Sequence, residues 1–518
     1  MSLLRAITTV GSFTMMSRIL GFVRDILIAA TLGAGPVADA FFIAFKLPNL
    51  FRRLFAEGAF SAAFVPIFAG AVESEGREPA RAFAEQTMSV LLVALLGITV
   101  LAEITMPWLM RVIAPGFLDE PEKFDLTVAF ARITFPYLLF ISLVSLLSGV
   151  LNSLGRFAAA AATPILLNLC LIGAIMVLAP LMPTPGHALA WGVAAAGVVQ
   201  FVWLYAAVVR EGIWLRLPRP RITDEVRTLC RRALPVAFGA GIYQVNLVID
   251  MIIASLLPSG SISYLFYADR VTQLPLGVVG VAVGTALLPM LSRQVRAGDH
   301  DVAMHSQNRA LEFAFLLTLP AAVALFVIAD PIITVLFQRG AFGPDQASAT
   351  AAALTIYALG LPAYVLVKSL VPGFFAREDT RTPVIISVIA MIINVVLSLI
   401  LMGPFLHVGL AMAMATSAWV NAVLLAGVLW RRGHLVPDDR LKTRFLRILF
   451  SAALMGISVH FGSGYLSSQL SGDVAAKTMA LVILVGGGGA VFAVCAQLTG
   501  AARVADLKRF MARTTTIS

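Results

Sequence analysis

Charge is scarce in this sequence. Asp, Glu, Lys and Arg make up 13% of 518 residues, against 59% hydrophobic. That balance excludes an ordinary soluble domain and implies a polytopic membrane protein, because long apolar stretches recur from end to end. Cysteine is nearly absent. Cys170, Cys230 and Cys495 provide neither a disulfide framework nor metal-ligand spacing, and are read as small apolar packing residues. The six histidines sit in loops or singly in apolar spans, so no metal pair is expected. The sequence has no Walker motif and no GxGxxG at a strand–helix turn, which removes ATP and dinucleotide sites. Its glycine run, Gly486–Gly489, falls inside an apolar span and is not a phosphate loop. Energy for any transport must then come from ion gradients, membrane potential or substrate flux. A signal peptide is not expected, since a small-residue cleavage site is missing and Arg18 and Arg24 interrupt the first apolar run.

What is present is a series of fourteen candidate spans. They cover 6–32, 39–71, 83–108, 126–151, 158–181, 187–209, 229–257, 263–292, 308–329, 346–372, 382–402, 408–430, 443–462 and 475–498. The net charge of +10 does not point to nucleic acid, because the positive residues lie in short loops between spans. One alternating set of loops is basic, with Arg77, Arg81, Arg156, the arginines of 210–232, Arg293, Arg296, Arg309, Arg377, Arg381 and the cluster of 431–447. The other set holds little beyond Arg111, Lys123 and Arg339. The positive-inside rule makes the basic side cytoplasmic and puts both termini inside.

A weak internal repeat is visible. KLPNL at Lys46–Leu50 echoes QLPLG at Gln273–Gly277, FVPIF at Phe64–Phe68 echoes LLPML at Leu287–Leu291, and Thr163-Pro164 echoes Thr382-Pro383. The offsets are 219–227 positions, or six spans, so the halves are expected to be parallel repeats about an axis normal to the membrane. The expected fold is an all-α polytopic membrane protein of fourteen transmembrane helices, with two pseudo-symmetric six-helix lobes enclosing a cavity and two further C-terminal helices. The lobes are 1–210 and 229–432, joined by a cytoplasmic linker at 211–228, with the last two helices and a cytoplasmic tail in 433–518.

Ionisable residues inside spans mark a path or a partner, because a charge at membrane depth costs at least ~2.5–3.5 kcal/mol on insertion scales. In the second span, Asp39, Lys46, Arg52, Arg53 and Glu57 surround Pro48, where a kink is expected. Asn49, Arg53 and Glu57 form an i, i+4, i+8 stripe; Arg53–Glu57 also fits a plain surface pair. Asp39, near the outer end, fits either a functional carboxylate or a helix cap. In the first span, Arg18 and Asp25 share a face two turns apart; Arg24 and Asp25 could alternatively snorkel or pair with each other. Span 8 adds Asp269 and Arg270, with Gln273 one turn on; Gly280 and Gly284 there fit helix packing. Arginines 18, 24, 52 and 270, drawn from both halves, suit a diphosphate, since guanidinium binds phosphate through bidentate, charge-assisted bonds. Asp250, Asn394, Ser398 and Thr416 offer oxygens for a hard monovalent cation, or ordinary interhelical hydrogen bonds.

The segments SRILGFVRDILIA, DAFFIAFKLPNLFRRLFAEGAFSAAFVPIF, YADRVTQLPLGVVGVAVGTALLP and FFAREDTRTP resemble the MurJ (MviN) family of lipid II flippases, within the MOP exporter superfamily. The resemblance covers the whole chain. It implies alternating access by two six-helix lobes and translocation of undecaprenyl-diphosphate-linked peptidoglycan precursor from the inner to the outer leaflet. It assigns substrate-binding roles to Arg18, Arg24, Asp25, Asp39, Arg52, Asp269 and Arg270, and cavity-lining roles to Asn49, Glu57 and Asn168. It implies a groove for the polyprenyl tail at spans 13 and 14. Ser398 stands where some relatives carry a carboxylate, so a sodium site is not carried over. The expected partners are lipid II, membrane lipids and the cell-wall synthesis machinery, with no nucleic acid. The expected location is the bacterial inner membrane. No catalysis and no cofactor are expected beyond coupling to a monovalent cation. Two alternatives stand beside this reading: a cation-coupled exporter of small organic cations on the same general architecture, and a non-transporting scaffold.

Overall fold

A computed structural model describes residues 3–52 and 60–502, excluding the side chains of 3–7, 236–243 and 278–286. The regular secondary structure among the described residues is all helical. Its helices are α1 Leu3–Leu32, α2 Pro36–Phe51, α3 Ser61–Ser74, α4 Arg77–Ile113, α5 Pro121–Thr134, α6 Tyr137–Ser153, α7 Phe157–Gly173, α8 Pro185–Arg210 and α9 Asp224–Ser255. They continue as α10 Ser261–Arg296, α11 His300–Val327, α12 Ala329–Phe337, α13 Pro344–Phe375, α14 Arg381–Arg431, α15 Asp439–Tyr465, α16 Ser467–Leu470 and α17 Val474–Thr499. Among the described residues, nine helical segments are long and apolar enough to cross a membrane. One of them, α14, contains both of the spans expected at 382–402 and 408–430.

Helix α14 is two helices in one. Leu406 has φ 49° and ψ −131°, an unfavourable backbone for a branched residue, two positions after Pro404. A straight helix would hold Leu401 and Gly409 about 12 Å apart. Instead a Cβ at Gly409 would lie 2.3 Å from the Leu401 carbonyl oxygen, so the chain reverses tightly and only glycine fits.

By spatial packing the chain forms two compact units. One comprises Met1–Ser263 with Arg339–Phe342, the other Tyr264–Gln338 with Gly343–Ser518. In the first, α1 packs on α7, α2 on α5, α6 on α8, and α9 against α3 and α4. Its largest buried side chains are aromatic, among them Phe41, Phe42, Phe64, Phe68, Phe130 and Tyr137. Gly340 belongs to this unit through a close approach to α1. The Ala341 N–H donates to the Ala30 carbonyl at 2.8 Å, and a Cβ on Gly340 would come within 2.2 Å of that oxygen. In the second unit, α13 packs on α11 and α14, and α11 on α15, which carries α17. The end of α10 joins this core through Leu287 and Leu291, against Ala303, Ala314 and Val365.

Capping places several of these helices. Thr223, Asp438 and Asp473 accept N–H groups from the first turns of α9, α15 and α17. Cys170 and Cys495 are half-buried, but Cys230 is exposed near the start of α9, so packing does not account for it.

Candidate functional site

In the first unit, Arg24 and Asp25 are buried and Arg18 is exposed on α1. A buried charge is tolerated only when paired and hydrogen-bonded. Arg24 meets that condition by folding back on its neighbour: Nε and Nη2 donate to Asp25 Oδ1 at 3.0 and 2.7 Å. Its Nη1 donates to Asn168 Oδ1 on α7 at 2.9 Å, and Asn168 Nδ2 donates to the Ser17 carbonyl at 2.9 Å. Asn168 is thereby held at both ends, and it holds Arg24. The helices can cross here because Gly21 leaves room; a Cβ there would sit 3.5 Å from Asn168 Nδ2. Three of the five guanidinium N–H groups are used, so Arg24 keeps a fixed direction and two donors for an anion. The internal pairing left open by the sequence is the arrangement observed, with Asn168 added to it.

On α2, Arg52 Nε donates to Asn49 Oδ1 at 3.2 Å, and Asn49 Nδ2 to the Phe45 carbonyl at 2.8 Å. Both side chains are half-buried. Glu57 and Arg53, the rest of the expected stripe, lie outside the described residues. Pro48 cannot donate to the Ala44 carbonyl one turn earlier. The Thr134 hydroxyl of α5 takes up that oxygen at 3.3 Å.

Asp39 is 1% exposed, and its carboxylate is committed to the beginning of α10. It accepts from the Gly260 N–H at 2.7 Å, the Ser263 N–H at 2.9 Å and the Ser263 hydroxyl at 2.6 Å. These N–H groups have no partner within their own helix, and the positive end of the helix dipole favours a carboxylate there. The capping alternative is therefore the one the geometry matches, although the helix capped is α10 and not α2. Lys123 completes the cluster. It is 2% exposed, with Nζ 3.4 Å from Asp39 Oδ2, 3.4 Å from Glu120 Oε1 and 2.7 Å from Ser259 Oγ. Its ammonium also stands 4.1 Å from the Phe117 ring centroid, a cation–π contact. Sequence reasoning counted Lys123 as a loop charge and missed its burial. The signal available was its place in the sparsely charged set of loops, on the side where the end of the second span carries Asp39.

In the second unit, Asp269 and Arg270 are half-buried on α10. Asp269 Oδ2 accepts from Gln273 Nε2 at 2.6 Å, one turn on as expected. Arg270 Cζ lies 4.6 Å from the Phe266 ring centroid. Gly280 and Gly284 are outside the described side chains. The oxygens considered for a cation are distributed between the units. Asp250, on α9, accepts from Asn246 Nδ2 at 3.2 Å, while Asn394 and Ser398 are buried one turn apart on α14 and Thr416 is exposed. Among the described residues, no group of three or more His, Cys, Asp or Glu side chains could hold a metal.

Sequence reasoning also missed the ion cluster on α11. Glu312, 7% exposed, pairs with Arg309, Arg440 and Arg444, and Arg309 pairs in turn with Asp438 at the start of α15. The α11–α15–α17 side of the unit carries a half-open apolar pocket of about 270 Å³, lined by Leu317, Pro320, Val459, Leu484, Gly488 and Phe492 among others. The Gly486–Gly489 run lies within α17, as expected. Gly488 is a close approach, since a Cβ there would be 2.6 Å from Val459 Cγ2 on α15.

A family profile described as lipid II flippase MurJ matches residues 28–479. A Rhizobium meliloti protein described as a probable lipid II flippase MurJ is 46% identical over 520 residues, covering 99% of this chain and 97% of that one. The lipid II flippase MurJ of Burkholderia cenocepacia is 36% identical over 466 residues, covering 89% and 90%. Among solved structures, a lipid II flippase MurJ in an inward closed conformation superposes with a TM-score of 0.76 at 23% identity, over 94% of this chain and 98% of that one. An inward-facing multidrug resistance MATE transporter of the MOP superfamily gives 0.67 at 16% identity, over 83% and 97%. Both structures share the fold. With residues 28–479 matched and 46% identity to a relative along nearly the whole chain, this protein belongs to the lipid II flippase MurJ family.

Proposed function

We propose that this chain translocates lipid II, the polyprenyl-diphosphate-linked peptidoglycan precursor, from the inner to the outer leaflet of the bacterial inner membrane, with both its own termini in the cytoplasm. The observation that carries the proposal is a buried guanidinium, Arg24, oriented by Asp25 and Asn168, in a chain that matches the flippase family along most of its length. The diphosphate is assigned to Arg18, Arg24, Arg52 and Arg270. Arginine suits this role because its planar fork matches phosphate oxygens and stays charged. Asp25, Asp269, Asn49 and Asn168 orient these cations, and Glu57 belongs to the same polar lining. The polyprenyl tail is assigned to the apolar side formed by α11, α15 and α17. Transport proceeds by alternating access of the lobes 1–210 and 229–432. No covalent bond is broken, so the chain acts as a transporter and not as a hydrolase. Coupling to a monovalent cation through Asp250, Asn394, Ser398 and Thr416 is a separate element of the proposal. It predicts that flipping depends on the sodium or potassium gradient.

Arg24→Ala and Arg270→Ala are expected each to abolish support of growth while the protein still inserts in the membrane at normal abundance. Normal growth with both variants would overturn the assignment. An exporter of organic cations would need a site dominated by carboxylates and aromatics, and sodium- or proton-driven efflux of such cations would favour it instead.

A further inference from the structure

We propose that residues 213–223 form a strap that binds anionic phospholipid headgroups at the membrane surface. The strap begins three residues after α8, a helix apolar enough to cross the membrane, so chain connectivity alone keeps it at the boundary. It has no regular secondary structure and is fastened to the rest of the first unit through its backbone. The Arg216 N–H donates to Glu85 Oε1 at 2.9 Å, the Arg221 N–H to Gln86 Oε1 at 3.1 Å, and the Leu215 carbonyl accepts from the Tyr205 hydroxyl at 3.0 Å.

With the backbone fixed, the side chains separate. Ile213 and Leu215 are buried beneath, while Trp214, Leu217 and Ile222 are 62%, 60% and 67% exposed. Arg216, Arg219 and Arg221 are exposed among them, and 213–223 contains no acidic residue. An aqueous surface has no use for three large bare apolar groups on one short segment, but the bilayer interface accepts tryptophan and aliphatic chains while their arginine neighbours reach phosphates. Each arginine near an anionic leaflet contributes on the order of a further fivefold in affinity. Because the fastening uses main-chain N–H groups, replacing the arginine side chains leaves the docking intact. The strap concerns a different partner from the transported lipid. It depends on the proposed orientation only for which leaflet it reads.

The test is thermal melting of the purified full chain in detergent, titrated with phosphatidylglycerol or with phosphatidylcholine. The native protein is expected to be stabilised by phosphatidylglycerol and much less by phosphatidylcholine. Replacing Arg216, Arg219 and Arg221 together by Gln is expected to raise the half-saturating phosphatidylglycerol fraction by on the order of a hundredfold. Replacing all three by Lys, which keeps the charge, is expected to retain most of the native response. Equal titrations for the native and Gln proteins would overturn the proposal, as would equal stabilisation by the two lipids. Loss of the response in the Lys protein as well would also overturn it, since charge would not then be the cause.

Discussion

At the scale of single residues, burial and pairing separate side chains that composition alone treats alike. Asp39 and Lys123 are both almost fully buried, but they are not equivalent. Asp39 accepts three hydrogen bonds from Gly260 and Ser263 as well as facing Lys123. Asp39→Ala leaves the first N–H groups of α10 and a buried ammonium without this acceptor, and is expected to cost about 3–5 kcal/mol, as for one member of a buried pair. Lys123→Met removes the cation, keeps a similar length and leaves the three hydrogen bonds in place, so its cost should be smaller. Thermal melts of the two variants check the ordering, and a more damaging Lys123→Met would contradict it. Asp379, in the turn between α13 and α14, supplies a pH test. The Thr382 hydroxyl, the Arg432 guanidinium and the Thr382 N–H bind its carboxylate and lower its pKa to about 2. A lowered carboxylate stabilises the folded state fully above the ordinary value of about 4. That contribution falls away as pH drops from about 4 towards 2. Hydrogen exchange at residues 376–384 should therefore accelerate over that window, and Asp379→Asn should remove the pH dependence. These partnerships were not legible in the sequence. Asp39 meets groups more than two hundred positions away, and no local pattern announces that Gly260 will present a helix start to it.

At the scale of elements, much more could be read in advance. Each expected span falls mostly on helix where residues are described, with breaks at Phe135–Pro136 and Ile328, because the apolar lengths that suit a bilayer also satisfy the backbone internally. Helix ends are where the reading was weaker. The reversal at Leu406 joins two spans with hardly a loop, because Pro404, Leu406 and Gly409 turn the chain over a few residues. The start of α15 is set by ion pairs that sequence spacing does not reveal. Glu312 gathers Arg309 from its own helix with Arg440 and Arg444 from α15. Glu312→Ala should leave the partly buried Arg309 and Arg444, and the exposed Arg440, without their shared acceptor and cost about 3–5 kcal/mol. Glu312→Gln keeps the shape and hydrogen-bonding oxygen but not the charge, and should fall between the native protein and the alanine variant. Protease sensitivity of the loop 432–438 would report release of α15. Unchanged melting and unchanged cleavage in the alanine variant would show that the cluster does not hold α15.

At the scale of the whole molecule, membership of the flippase family and an all-helical membrane fold are secure, and the proposal concerns what the chain carries and in which direction. Part of the candidate site was legible: intramembrane charge is rare enough that Arg24, Asp25 and Arg270 stood out from an apolar background. Their fixing was not legible, because the Asn168 amide that orients Arg24 is an ordinary polar residue until α1 and α7 are packed together. The most direct test is controlled depletion of this protein in growing cells, followed by leaflet-resolved measurement of lipid-linked peptidoglycan precursor. Precursor is expected to accumulate in the cytoplasmic leaflet, with restoration by the native chain but not by Arg24→Ala. Undiminished arrival of precursor at the outer leaflet, in cells without another flippase, would contradict the proposed cargo and direction together.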